Sequence, residues 1–326
     1  MFGGDFQQTL PVVVHGTRAD SIHSTIQASY LWSHIVVLHL RRNMRVIHSE
    51  FSAQFSQWLL QIGRGRDPPD DCKEHFINLP HHMRRNSESD LIDSVYTSLR
   101  PNLPTPPSSF FKDRAILAAT NDDVRSLNER ILARFPGEEH IYDSADSYSI
   151  DSPSAAQNTN VPVEFLHSIN ASGLPLSHLA LKKGCPVLIL RNIDVSRGLC
   201  NGTHATVLHM TNRIVEVLLL NGDHAGEAAL IPRITISPSV TGIDSTIKLN
   251  RRQFPLQLAL AMTINRAQGQ SLNHIGVDLR KPVFAHGQLY VALSRATSPA
   301  NVSVLLPPSE TSSKSRNVVY NEVLLR

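Results

Sequence analysis

With 326 residues the chain has room for about two domains at ~150 residues each. Its 41% hydrophobic content excludes a wholly disordered chain, and a mean hydropathy of -0.14, with no apolar run near the ~20 residues of a bilayer span, excludes a membrane bundle. The net charge of +3, from 31 Lys and Arg against 28 Asp and Glu, permits nucleic acid as a partner without demanding it. Three cysteines are too few for a disulfide scaffold and fit a reducing compartment. The first residues show no secretory leader pattern.

In chain order, Met1-Phe2 runs straight into Gly3-Gly4-Asp5-Phe6-Gln7-Gln8, a glycine turn followed by polar residues. A turn of that kind follows a buried strand, and no room is left for one, so the start reads as cut. Ile35 to Leu40 predicts a short buried strand ending at Arg41-Arg42-Asn43-Met44-Arg45. Phe51, Phe55, Trp58, Leu59 and Ile62 fall at helical spacing and Gly63 stops them. Ser87 and Asp90 resemble a capping box ahead of Leu91, Val95 and Leu99, with Pro101 beyond. Ala115 to Ala119 predicts a strand, Thr120-Asn121 an N-cap, and Val124, Leu127, Ile131 and Phe135 one helix face. Strand, polar turn and helix make half a βαβ unit, which implies a parallel sheet.

Ser144 to Asn160 reads as a polar surface loop. From Pro186 to Ile236 short Val-, Ile- and Leu-rich strands alternate with the hairpin turns Asn201-Gly202 and Asn221-Gly222, predicting a small antiparallel insert. Strand, turn and helix resume with Leu256 to Ile264, Ile275 to Leu279, Gly287 to Ala296 and Val302 to Leu306. Beyond Pro307-Pro308 the Ser-rich tail reads as poorly ordered.

Three constellations could carry chemistry. Gly4, Asp5 and Gln8 lie in a turn where a glutamine can donate to a phosphate oxygen or orient a water; a plain polar turn is the other reading. Arg45 ends an apolar strand, the place where open α/β sheets bind ligands, and it also reads as an ordinary surface arginine. The third pairs Ala261–Ser271 with Tyr290–Ser298. In the first of these segments Thr263, Asn265 and Gln268, with Gly269 permitting close backbone approach, suit a nucleic-acid phosphate or sugar. In the second, Arg295 sits at a helix end, where a cation is favoured and can project toward a phosphoryl group. A lone cysteine at Cys72 beside His75, His81 and His82 is too thin for zinc, and no metal site is expected.

With these segments in hand, the chain resembles the PIF-type DNA helicases of superfamily one, especially the helicase parts of Helitron transposons. The matching runs are Gly3 to Pro11 (motif III), Leu40 to Arg45 (motif IV), Ala261 to Leu272 (motif V) and Tyr290 to Ser298 (motif VI). Phe165 to Ile169, Gly173-Leu174-Pro175 and Leu199 to Thr203 resemble the family's inserted β-barrel region.

The resemblance implies an α/β fold: a second RecA-like motor domain in two parts (35–164 and 251–306), a small antiparallel β-barrel insert (165–250), the end of a first RecA-like domain (1–34) and a tail (307–326). It implies that Gln8 senses the γ-phosphate of ATP, that Arg45 contacts it, that Arg295 is an arginine finger, and that Thr263, Asn265, Gln268 and Gly269 track single-stranded DNA. Gln7 stands where arginine is common in the family, and Arg266 where lysine is. The sequence holds no Gly-Lys dipeptide and no Asp-Glu pair, so the P-loop and the Mg2+-holding acids are expected upstream in a missing N-terminal RecA-like domain. The implied activity is ATP-driven translocation and unwinding in the nucleus, for repair, recombination, telomere maintenance or transposition. The alternative is a truncated, non-catalytic remnant that binds single-stranded nucleic acid weakly or not at all.

Overall fold

In the computed structural model the described residues are 2–13, 16–40, 50–65, 76–97, 99–150, 161–171, 173–238, 247–307 and 314–324. They divide into two units, one made of 1–97, 113–127 and 261–326, the other of 98–112 and 128–260. The first unit opens with α1 (Arg18–His23) and α2 (Glu50–Gly63), then β1 (Phe76–Asn78), β2 (Arg84–Arg85) and α3 (Glu88–Val95). Helix α4 (Ser108–Phe111) belongs to the second unit and β3 (Arg114–Ala118) to the first; α5 (Asn121–Arg134) starts in the first and ends in the second. The second unit continues through β4 (Glu139–Asp143), β5 (Ala145–Ile150), α6 (Val163–Ser168), β6 (His178–Lys182), β7 (Pro186–Ile189) and β8 (His204–Met210). It closes with β9 (Ile214–Leu219), β10 (Ala228–Pro232), β11 (Ile234–Ile236), β12 (Ile247–Gln253) and β13 (Leu256–Leu258). The first unit resumes with β14 (Ala261–Thr263), β15 (His274–Asp278), α7 (Gln288–Leu293), β16 (Val302–Leu305) and β17 (Lys314–Arg316).

The first unit is built on a parallel sheet in the order β14-β3-β15-β16-β2. Its central strands are continuous apolar runs because both faces are covered. Ile275, Val277, Leu117 and Val304 join Ile62 of α2 and Leu289 of α7 in one core. Thr120 caps α5, its hydroxyl accepting Asp123 N–H at 3.3 Å, and Asp122 and Asp123 fill the helix's first turn. The second unit is antiparallel: a five-stranded sheet β10-β9-β8-β7-β13, a three-stranded sheet β11-β12-β5 and the pair β4-β6. Alternation in β9 turns Val215, Val217 and Leu219 inward. Gly202 and Gly222 adopt positive φ in the loops the sequence marks as hairpin turns. An α/β chain with a RecA-like parallel sheet and antiparallel β structure is what the sequence implies.

Four expectations are corrected. Ile35 to Leu40 form no strand: Val36, Leu38 and Leu40 are 84%, 81% and 102% exposed, and among the described residues no ladder partner pairs with them. The stretch read as a loop from Ser144 holds β5, whose polar Ala145–Ile150 pair with β12; its Asp146 faces Arg251, and both side chains are fully buried. Leu256 to Ile264 is not one strand but β13 and β14, which belong to different sheets. The tail is ordered at 314–324: β17 pairs with β1, and Asn317, Val319 and Val323 are buried. Buried Val319 and Val323, together with the Asn317 bond to Ile62 O, hold it, and the Ser-rich composition obscures them.

Candidate nucleotide and nucleic-acid site

The site lies in the first unit and starts from one aspartate. Asp5 accepts Gln8 N–H through its backbone oxygen at 3.1 Å, and its carboxylate accepts Gln7 N–H at 3.0 Å and the Gln8 side-chain amide at 3.2 Å. The Tyr290 hydroxyl donates to the same carboxylate at 3.3 Å. An ionised carboxylate is acceptor-only with several lone pairs, so it gathers N–H groups into a tight turn. The sequence suggests a glycine turn here, but neither Gly3 nor Gly4 has positive φ, and a Cβ on either meets nothing within 4 Å. Asp5 makes the turn, and Gln8 is aimed by it.

Helix α7 forms the floor. Gly287, its N-cap, has φ +73°, and a Cβ there would lie 2.4 Å from Gln7 O and 2.6 Å from Gln8 C. The close approach of turn and helix therefore requires glycine. Next to it His286, 2% exposed, places Nε2 2.8 Å from Phe6 O, while Nδ1 accepts Tyr320 N–H at 2.8 Å. Both partners are backbone groups, so the tautomer is fixed with the proton on Nε2. Burial, reinforced by the Arg18 charge, lowers the His286 pKa against the opposing pull of the Phe6 carbonyl.

Motif V leaves β14 in a run of turns from Ile264 to Gly269. Thr263 O accepts Arg266 N–H at 3.0 Å and Ala267 N–H at 3.2 Å. The Asn265 side-chain oxygen accepts from the buried Gln288 amide at 3.2 Å, and Gln288 Oε1 accepts Phe284 and Ala285 N–H at 3.0 and 3.1 Å. Gly269 has φ +83° with open space around it, so its backbone conformation, not crowding, selects glycine. The Thr9 hydroxyl donates to Gln268 Oε1, joining motif III to motif V directly. Arg266 is half-buried, and burial lowers its pKa.

Arg295 does not project from the helix end as the sequence suggests. It is 3% exposed and turned back: Nε donates to Val291 O at 2.9 Å, one terminal nitrogen donates to Gln270 O at 2.9 Å and Ala267 O at 3.4 Å, and the other to Ser294 Oγ at 2.9 Å. A guanidinium kept from water must fill its donors, and the carbonyls of the helix end and the motif V turns are within reach. It thereby ties motif V to motif VI.

The structure thus brings Asp5, Gln8, Thr9, Asn265, Gln268 and Arg295 onto one framework; Gly4 sits beside it, and Arg45 lies outside the described residues. Sequence reasoning passed over His286, Gly287 and Gln288, a polar run at the entry of an apolar helix. At the surface of this framework Thr9, Asn265 and Gln268 present a hydroxyl and neutral amides, suited to phosphate or sugar oxygens. They do not fit Mg2+: the Asp5 carboxylate is already engaged by three donors, and among the described residues no three His, Cys, Asp or Glu side chains converge as metal ligands. No helix among the described residues is long and apolar enough to cross a membrane.

A family model described as PIF1-like helicase matches residues 1–73, one for the 2B domain of DNA helicase Pif1 matches 164–210, and one described as helicase matches 245–324. The chain is 33% identical to the ATP-dependent DNA helicase PIF1 of Xenopus laevis, over 93% of this chain and 40% of that protein. It is 56% identical to the PIF1 helicase of Emericella nidulans, over 78% of this chain and 37% of that protein. The crystal structure of the Candida albicans Pif1 helicase matches with a TM-score of 0.55 at 26% identity, covering 93% of this chain and 63% of that one. The Bacteroides Pif1 structure bound to single-stranded DNA, 20% identical, shares the fold with a TM-score of 0.55 over 94% of this chain and 62% of that one. The chain spans about two fifths of the length of these curated relatives. Motifs III, V and VI meeting on one parallel-sheet unit, with relatives along nearly the whole chain, mean that this chain belongs to the PIF1-like helicase family.

Proposed function

We propose that this chain carries the second RecA-like motor domain and the β-barrel insert of an ATP-dependent DNA helicase, which moves on single-stranded DNA and opens duplexes in the nucleus. The observation that carries the reading is the Thr9–Gln268 bond: a turn that also aims Gln8 is joined to a loop whose exposed amide suits a nucleic-acid backbone. A displacement of either segment is felt by the other. Thr263, Asn265, Gln268 and Gly269 form the DNA-facing strip, and repair, recombination, telomere maintenance or transposition are the settings such an activity serves. Gln8, Arg45 and Arg295 take the family's γ-phosphate roles; Arg295 has to leave the Ala267 and Gln270 carbonyls before it reaches any phosphate, which would couple that event to motif V.

A second reading, a non-catalytic module that binds single-stranded nucleic acid, is favoured by the lack of a Gly-Lys dipeptide and of a metal-ligand cluster among the described residues. Two measurements on the purified chain test the nucleic-acid interface that the readings share and whether a nucleotide site is complete within it. Fluorescence anisotropy with labelled oligothymidine should show salt-sensitive binding that Gln268→Ala weakens about tenfold. ATP hydrolysis with and without DNA should show no turnover by this chain alone; turnover abolished by Arg295→Ala would mean that a nucleotide site is complete within these residues. Absence of any DNA binding at low salt would remove the nucleic-acid interface and leave only an inert remnant.

A further inference from the structure

The C-terminal segment is held in the first unit at many points. β17 pairs with β1, Asn317 donates to Ile62 O at 2.9 Å, Gly287 N–H donates to Val318 O at 3.1 Å, and Gln27 donates to Val323 O at 2.9 Å. Arg18 forms a two-pronged pair with Glu322 at 2.7 and 2.9 Å and lies 4.6 Å over the Tyr320 ring. That ring stacks on His286 at 5.3 Å, and the same residue's N–H enters His286 Nδ1. On the opposite edge of the imidazole, Nε2–H meets Phe6 O in the motif III turn. Gly287, the neighbour of His286, touches the segment through its N–H and leaves no room for a Cβ beside Gln7 and Gln8.

We infer that His286 is a positioning residue: one neutral imidazole, with a backbone donor on one nitrogen and a backbone acceptor on the other, passes the hold of the C-terminal segment 314–324 to the Asp5–Gln8 turn. A ring is suited to this because its two nitrogens are fixed relative to each other, so locking one partner locks the direction offered to the other. The segment thereby sets where Gln8 and Thr9 stand, and through Thr9 the register of Gln268. This rests on the helicase reading for its consequence, but its geometry does not.

The test separates the two nitrogens. In His286→Gln the side-chain amide reaches the position of Nε2 and keeps the Phe6 bond; in His286→Asn it reaches only Nδ1 and keeps the Tyr320 bond. Hydrogen exchange on the full chain reads the amides of Gln7 and Gln8, which Asp5 holds. Both variants should speed exchange in the 5–9 peptide about tenfold, with His286→Ala at least as fast, while peptides of β3 and β15 stay as in the parent. A second reporter is Trp32, whose ring meets Phe6 edge-on at 5.9 Å; in a Trp58→Phe background its emission should shift in all three variants. Unchanged exchange at 5–9 in either His286→Gln or His286→Asn would overturn the inference, as would uniform acceleration across β3 and β15, the mark of a purely global effect. Oligothymidine binding is measured alongside. Exchange that behaves as stated while DNA binding is absent supports the positioning and removes the helicase reading; DNA binding with unchanged exchange does the reverse.

Discussion

Replacing Gly287 by alanine addresses the packing of the motif III turn on α7. At φ +73° a non-glycine residue costs about 1–2 kcal/mol in backbone strain. The added Cβ would also stand 2.4, 2.6 and 2.7 Å from Gln7 O, Gln8 C and Gln8 O, all backbone atoms that a rotamer change cannot clear. Forcing a methyl into such a contact costs about 1–3 kcal/mol, so Gly287→Ala should destabilise the first unit by about 2–5 kcal/mol. Gly269→Ala is the control: it has φ +83° in the same unit, but nothing lies within 4 Å of its Cβ, leaving about 1–2 kcal/mol of strain alone. Both tryptophans, Trp32 and Trp58, lie in the first unit, so urea unfolding followed by their emission reads this unit specifically. The difference between the two variants isolates the contact. Equal losses would refute the claim that the turn rests on Gly287.

Three further outcomes follow from the same geometry. Arg251, fully buried, donates to Asp146 and to the carbonyls of Leu166, Ile169 and Pro175; Arg251→Met strands a buried carboxylate and should cost the second unit about 3–5 kcal/mol, seen by hydrogen exchange in β5 and β12 and largely recovered in Arg251→Met with Asp146→Leu. His286, facing Asp5, Arg18 and Glu322, and His274, facing Asp113 and Arg114, both have pKa values lowered chiefly by burial. The unfolded chain takes up protons near 6.5 while the native one resists, so the first unit keeps full stability above that pH and loses it as pH falls through the lowered native values; a urea midpoint that holds or rises from pH 7.5 to 5.5 would contradict this. Arg295→Lys cannot supply both motif V carbonyls and Val291 at once and should raise hydrogen exchange in the 264–271 peptide, whereas unchanged exchange there would remove its tie to motif V.

Much of the fold is legible in sequence where one period dominates. The β3–α5 unit shows both its signals, a five-residue apolar strand and a capped helix, and β9 shows strand alternation, with the Asn201-Gly202 and Asn221-Gly222 turns marking the ends of the β8–β9 pair. Illegible features depend on partners far along the chain. β5 is polar because Asp146 pairs with Arg251 more than a hundred positions away, so composition argues for a loop. Ile35 to Leu40 shows the reverse: strand-like composition with no ladder partner among the described residues. At the site, motif residues are readable because they carry unusual side chains, but His286 and Gln288 act on backbone groups of Phe6, Phe284 and Ala285, which no side-chain pattern announces. Arg295 is readable as important and misread in direction, since only the fold reveals the carbonyls that draw it inward.

The most direct test of the account is a hydrogen-exchange footprint of single-stranded DNA on the whole chain. If motifs III and V form one nucleic-acid-coupled framework, saturating oligothymidine should slow exchange in peptides covering 263–270 and, through the Thr9–Gln268 link, in 5–9. Gln268→Ala should erase the second effect before the first. Protection confined to the antiparallel unit, with 263–270 and 5–9 unchanged, would contradict the account.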